Sequence, residues 1–228
     1  MIETLFEDNH LLILNKPAGL LTQPAIDDDS LESRAKAYIK QSYNKPGEVF
    51  LHAAHRLDRG ASGIVVFART SKALSRLNHS IREGLWIKKY LACVEVHRDS
   101  CLELRSGRPQ ILEDHLLKQE YRAQVVCAAV QGAKRARLTY RCIKKELQSA
   151  TLEIDLETGR YHQIRVQLSS RGAPILGDVK YGAEKKHPHA IALHHYELKL
   201  EHPVQKKELL IQASASTSPY KELKSILG

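Results

Sequence analysis

The sequence predicts an α+β fold: a mixed, mostly antiparallel sheet with flanking helices around a central cleft. Two observations predict it. Compact β-branched or alternating runs outnumber the helical patterns. They also repeatedly arrive as pairs joined by turn residues, the mark of hairpins rather than of strand–helix–strand crossovers. No linker, repeat or low-complexity tract interrupts the 228 residues, so one domain over residues 1–228 is expected.

The elements follow in order. "HLLILNKPAGLL" gives a strand from His10 to Asn15, stopped by Pro17 and turned at Ala18-Gly19. "DDDSLESRAKAYIKQSY" gives a helix with Asp29 or Ser30 as N-cap and Asp29 with Glu32 at capping-box spacing. Leu31, Ala35 and Ile39 recur on its inner face. "GIVVFART" reads as a buried strand. "SKALSRLNHSIREG" is a helix with Leu74, Leu77 and Ile81 on one face and Gly84 as its stop. "WIKKYLACVEV" is a strand whose alternation sets Trp86, Lys88, Tyr90 and Ala92 on one side. Two short strands are expected between Pro109 and Ala133. A hairpin follows, with Ala136, Leu138, Tyr140 and Cys142 alternating against arginines and Leu152, Ile154 and Leu156 against acids. "YHQIRVQLSSRG" mixes both periods and is assigned to a short helix entered from the turn Thr158-Gly159-Arg160. A strand, a Pro-containing turn, a strand and the closing helix "SPYKELKSIL" complete the chain.

The net charge is +9, which favours a polyanionic partner, nucleic acid or an acidic membrane surface, over a merely basic soluble protein. No basic amphipathic helix with large exposed apolar residues supports the membrane reading. No apolar run approaches a membrane span and the acidic N-terminus is no signal peptide, so a soluble, cytoplasmic protein is expected. Cys93, Cys101, Cys127 and Cys142 form no CxxC pair and read as reduced thiols. His187, His189, His194 and His195 lack accompanying acidic or thiol ligands at zinc-like spacing, so no metal is expected. The basic run Lys134, Arg135, Arg137, Arg141, Lys144 and Lys145 fits either an RNA-tracking face or a solvated edge strand.

One stretch, "HRLDRGASG", sets a single carboxylate, Asp58, between Arg56 and Arg59 and follows it with small residues. By itself it fits a turn-capping carboxylate or a catalytic one held ready for a polyanion. Four blocks decide. "NKPAGLLTQP" (15–24), "HRLDRGASGIVVFART" (55–70), "KKYLACVEV" (88–96) and "LETGRYHQIRVQLSSRGAPILGDVKYG" (156–182) together resemble, in order, the motifs of the RluA-like pseudouridine synthases. The chain departs from the family pattern at Gly60-Ala61, where a Thr hydroxyl is usual, and at Val96, where Gly is usual. Many relatives carry an S4-type RNA-binding domain; none is expected here, since the first motif starts at Asn15.

The resemblance implies an isomerase that breaks the ribose–uracil nitrogen bond, rotates the base and rejoins it through ring carbon five. Such a reaction needs no cofactor, and no P-loop, GxGxxG or HExxH is present. The implied catalytic residues are Asp58, which either attacks the sugar or takes a proton from it; Tyr90, which stacks on the uracil; and Arg165, expected to hold Asp58 by a bidentate contact. Lys16, His55, Arg56, Arg59, Arg160 and His162 are expected to meet RNA or shape the loop, and Asp178 and Tyr181 to buttress the site. The implied partner is a ribosomal or transfer RNA stem-loop, read by a monomer. The alternative is a catalytically silent RNA-binding or RNA-folding module on the same scaffold.

Overall fold

The computed structural model describes residues 2–25, 29–104 and 107–227. The chain runs β1 (Glu3–Glu7), β2 (Leu11–Lys16), α1 (Leu31–Ser42), β3 (His52–Ala53), β4 (Ser62–Ala68), α2 (Ser71–Arg82) and β5 (Ile87–Glu95). Then come β6 (Gln110–Lys118), β7 (Ala123–Val126), β8 (Lys134–Lys145), β9 (Ser149–Leu156) and α3 (Gln163–Ser169). The chain closes with β10 (Leu193–Glu201), β11 (Glu208–Gln212) and α4 (Lys221–Leu227).

All these strands join one sheet in the order β1-β2-β4-β10-β5-β9-β8-β6-β7, with β3 beside β4 and β11 beside β10. Every pairing is antiparallel except β4–β10, which meet in parallel at Ser62↔His194 and Gly63↔His195. There the sheet forks. The start of β10 lies between β4 and β5; from Glu197 onward β11 takes the place of β4 beside it, while β5 stays paired as far as Lys199. The β5–β10 register shifts at the same place, between His195 and Glu197. Gly63 is what allows the close approach: its φ is +115°, and a Cβ there would come 2.2 Å from the His195 carbonyl oxygen.

The unbroken apolar runs of β2 and β4 arise because both faces of these strands are covered. Leu12, Leu14, Val65 and Phe67 share one core with Leu31, Ala35 and Ile39 of α1. Leu11, Ile13, Ile64 and Val66 share the other with Ala73 and Leu77 of α2. A smaller cluster of Leu116, Ala123, Ala136, Val166 and Tyr181 lies where α3 docks on β6–β8.

Three local features add to or narrow the sequence reading. β1 was not anticipated; the five residues "ETLFE" pair with β2 although only part of the strand is covered. The α1 cap is Ser30, whose side chain accepts from the Ser33 amide. Glu32 closes no capping box: it takes the Lys36 ammonium and the Ala53 amide, while Asp29 pairs with Arg34. Asp27 and Asp28 lie outside the described residues. The basic face of β8 is largely neutralised across the sheet, Arg135 by Glu113, Arg137 by Glu113 and Glu157, and Arg141 by Glu153. That favours a solvated strand face over an RNA track.

Candidate active site

Asp58 sits in the loop between β3 and β4, and the 16–22 segment holds that loop on both sides of it. Thr22 Oγ1 donates to the Leu57 carbonyl (3.0 Å) and accepts from the Leu57 amide (3.1 Å). The Lys16 ammonium donates to the carbonyls of Pro17 (2.9 Å), Leu20 (2.7 Å) and Arg59 (3.2 Å). Arg59 Nε donates back to the Gly19 carbonyl at 3.0 Å, and the Gly19 amide donates to the Arg59 carbonyl at 2.8 Å. The "NKPAGLLT" block is therefore a clamp for the carboxylate loop. Lys16 is fully buried within it, which removes it from the phosphate-facing residues expected from sequence. Burial pulls its pKa down to about 7, against the pull of nearby Asp58. At the departure, an added Cβ on Gly60 would meet Ile191 at 3.4 Å, an ordinary contact. Ala61 is buried, and its amide closes the turn on the Asp58 carbonyl.

Arg165, on α3, corrects the expectation of a bidentate bond to Asp58. Its Nη1 donates to Asp58 Oδ2 at 2.9 Å, a single contact. The two-toothed bond goes to Asp178 instead, from Nε to Oδ2 (2.6 Å) and from Nη2 to Oδ1 (2.9 Å). Asp178 is 2% exposed and both its oxygens accept from this guanidinium, so it fixes the plane of Arg165 and aims Nη1 at the loop. The ring of Tyr181 lies beneath, with the guanidinium carbon 4.9 Å from its centroid.

His162 caps α3 in the left-handed region (φ 53°, ψ 26°) without a side-chain cap bond. For a residue with a Cβ this geometry is costly and points to a demand on the side chain. The ring stacks on Tyr161 (3.8 Å), meets the Tyr181 hydroxyl through Nδ1 (2.9 Å) and sets Nε2 3.8 Å from Asp58 Oδ1. Burial lowers its pKa to about 4, so at neutral pH it is a neutral group beside Asp58 rather than a cation for phosphate. Gln163 locks the preceding turn, accepting from the Arg160 amide and the Thr158 hydroxyl and donating to the Arg137 carbonyl. Ile164 enters the core.

Tyr90, on β5, is 5% exposed and lines the same groove as Asp58. Its ring stacks on His195. Burial and the Asp58 charge both push its pKa up, keeping the phenol protonated. His55 does not reach for phosphate: its Nε2 accepts from the Val66 amide, and its ring packs edge-on against Trp86. Arg56, Arg59 and Arg160 are exposed along the groove.

The groove has a cavity volume of about 1010 Å³, at the upper end for small-molecule sites. Its charge is one-sided. Among the described residues, Arg56, Arg59, Lys88, Lys118, Arg160, Arg165 and Lys180 line it, against the one carboxylate Asp58. Lys88, Lys118 and Lys180 were not singled out from sequence, although Lys88 shares the strand face of Tyr90. Lys88 makes no hydrogen bond or ion pair among the described residues, and burial lowers its pKa. No group of three or more His, Cys, Asp or Glu side chains able to hold a metal lies together among the described residues. The cysteines are unpaired, Cys93 and Cys142 buried, Cys101 and Cys127 exposed. No helix among the described residues is long and apolar enough to cross a membrane.

Burial also keeps three further histidines neutral: His55 and His194, with pKa values near 3 and 4, and His195 well below its ordinary value. With His162 they make the fold acid-sensitive. Between pH 6.5 and about 4 the unfolded chain binds protons that the folded chain refuses, so stability is fully present above pH 6.5 and falls as pH drops. Each such histidine contributes a slope of up to ~1.4 kcal/mol per pH unit in this window. Urea midpoints measured from pH 8 to 4.5 are expected to stay level and then fall steeply below 6.5; a flat profile would show these rings to be solvated.

A forked, mostly antiparallel sheet carrying one arginine-held carboxylate, a groove tyrosine and a cation-rich rim fits a class: an enzyme that acts on a polyanion. The comparisons name the family. A family model described as RNA pseudouridylate synthase matches residues 10–170. The ribosomal large subunit pseudouridine synthase D of Nitrosomonas europaea is 33% identical over 215 residues, covering 89% of this chain and 58% of that protein. The dual-specificity RNA pseudouridine synthase RluA of Haemophilus influenzae is 30% identical, covering 94% of this chain and 93% of that one. Among solved structures, human RNA pseudouridylate synthase domain containing 4 superposes with a TM-score of 0.76 at 22% identity, over 98% of this chain and 91% of that chain, which shows the shared fold. The chain belongs to the RNA pseudouridylate synthase family, isomerases that convert uridine to pseudouridine in RNA. It spans 58% of the length of the Nitrosomonas relative.

Proposed function

We propose that this chain isomerises specific uridines to pseudouridine in ribosomal or transfer RNA, with residues 1–228 acting as one catalytic domain. The observation that carries it is the chain of contacts Asp178–Arg165–Asp58, set in a groove with Tyr90 and seven cations. A binding module gains nothing from burying a carboxylate–arginine–carboxylate relay in the middle of a surface for RNA, because each buried ion is costly and Asp58 repels phosphate. An enzyme needs it.

The target uridine must leave its helix or loop to bring its sugar to Asp58. Asp58 Oδ2 is taken by Arg165, so Oδ1 is the oxygen offered to the ribose, whether it attacks carbon one or removes a sugar proton. Arg165 supplies the counter-charge that holds the carboxylate in place. Tyr90 supplies a flat surface for the flipped base. The bond from carbon one to ring nitrogen one breaks, the base turns and carbon five bonds to carbon one. The hydrogen on carbon five leaves as a proton, and nitrogen one gains one. Lys88, Arg56, Arg59 and Arg160 are placed to meet backbone phosphates. Lys16, which is buried, holds the loop and His162 holds the space around Oδ1.

Because the carbon-five hydrogen is lost, tritium release from 5-tritiated uridine in ribosomal or transfer RNA measures the reaction directly. Release by purified protein, with pseudouridine in the product, is expected; RNA binding without release under every RNA supplied would point to the silent module. Lys88→Gln is expected to weaken RNA binding and to flatten the plot of log affinity against log salt by about 0.7–0.9, the amount for one lost phosphate contact. A filter-binding series across salt concentration reads this, and an unchanged slope would mean that Lys88 meets no phosphate.

A further inference from the structure

Tyr90 does not stand alone. Directly across the β5–β10 ladder is His195, and the two rings stack 4.5 Å apart at an interplanar angle of 13°. His195 has no exposed surface and lies outside the four sequence blocks that define the site. We propose that His195 is the positioning residue for Tyr90: a fixed aromatic backing that holds the tyrosine ring as a rigid plate against which the flipped uracil stacks. This rests on the reading of Tyr90 as the base-stacking residue.

Four features support it. First, the His195 ring is itself locked. Its Nδ1 lies 2.9 Å from the Ile64 carbonyl, which can only accept, so Nδ1 carries the proton and donates. Second, His55 meets its ring edge-on at 5.8 Å and 85°, so the backing is itself backed. Third, the backbone around it is built for close approach. His195 sits at the fork of the sheet, where β4 and β10 touch through Gly63 and no Cβ fits. Fourth, the second ring nitrogen is left unused. With Nδ1 donating, Nε2 holds a lone pair that is buried and has no hydrogen-bond partner among the described residues. An unpaired buried acceptor is a cost that a plain core position would shed by carrying an apolar residue. What the ring does provide is a flat π surface against Tyr90. That surface takes one face of the tyrosine and leaves the other side for the groove that Tyr90 lines. A tyrosine free to tilt would present the base at varying angles to Asp58, and orientation errors of this kind reduce rate more than binding.

Two substitutions separate flatness from bulk. His195→Phe keeps a planar ring; His195→Leu fills similar space without one. Both lose the bond to Ile64, so that loss cancels in the comparison. Both are assayed by tritium release at saturating RNA, by RNA affinity and by thermal unfolding, with wild-type protein alongside. The expected result is that Leu lowers kcat about tenfold or more while RNA affinity changes less than about threefold, and that Phe stays within about threefold of wild type in both. The proposal is overturned if Leu matches wild type, if Phe and Leu are equally impaired, or if both act only through stability or affinity. Failure of the wild-type protein to release tritium would sink the isomerase reading itself, so the two failures are told apart.

Discussion

Replacing Asp58 by asparagine is expected to abolish uridine isomerisation while leaving a protein that folds and binds RNA. The substitution changes almost nothing in shape. Arg165 Nη1 keeps an oxygen to donate to, and the Thr22 and Lys16 clamps act on the backbone of Leu57 and Arg59, not on the Asp58 side chain. What disappears is the anionic oxygen offered to the ribose: with the amide oxygen kept on Arg165, an uncharged NH2 stands in the place of Oδ1. Loss of a single group on which the chemistry turns costs on the order of 10⁴-fold or more, so tritium release falls to background. RNA affinity is expected to hold or rise, because a negative charge is removed from a groove that otherwise carries seven cations. Residual turnover within about tenfold of wild type would place the reactive group elsewhere.

Asp178→Ala is expected to have the largest effect on stability, although Asp178 never touches substrate. Arg165 is buried, and two of its three nitrogens are committed to this partner. Deleting the carboxylate leaves a buried guanidinium edge without its ion partner. Breaking a buried pair in this way costs ~3–5 kcal/mol, which for a chain of this size lowers Tm by roughly 6–20 °C. Catalysis falls too, since Arg165 is no longer held in the plane that aims Nη1 at Asp58. The double change Arg165→Met with Asp178→Leu removes the stranded charge along with its partner. It is expected to recover much of the lost stability and none of the activity, which separates the two roles of the pair. Equal urea midpoints for Asp178→Ala and wild type would show that the pair contributes little.

Much of this was readable from residue order, because some signals are local. The alternation in β8 and β9 named their buried faces, Ala136 to Cys142 and Leu152 to Ile154, since the sheet period needs no knowledge of partners. The unbroken apolar runs of β2 and β4 marked strands covered on both sides. The short helix at "HQIR" followed from Ile164 and Leu168 at helical spacing, and the meeting of Asp58 with Arg165 from the resemblance, although the contact is single where a bidentate one is expected. What sequence did not disclose depends on which side of a loop faces inward. Lys16 looks like a surface cation until the 17–20 turn folds over its ammonium. Arg165 has two carboxylates within reach, and only the fold says that the two-toothed bond falls to Asp178, thirteen residues on. His162 looks like a phosphate ligand, but its left-handed backbone turns the ring inward between Tyr161 and Tyr181. Alternation puts Lys88 on the face of Tyr90, yet that it has no side-chain partner among the described residues emerges only once the neighbouring strands are assembled.

The most direct test of the central claim is made in cells. Pseudouridines are mapped in total ribosomal and transfer RNA from a strain lacking this protein, then again after restoring wild-type or Asp58→Asn protein. The account predicts that at least one site vanishes, returns with wild type and stays absent with the variant, which also names the substrate. Persistence of every pseudouridine in the deletion strain across growth conditions, or recovery of the missing site by the Asp58 variant, would contradict it.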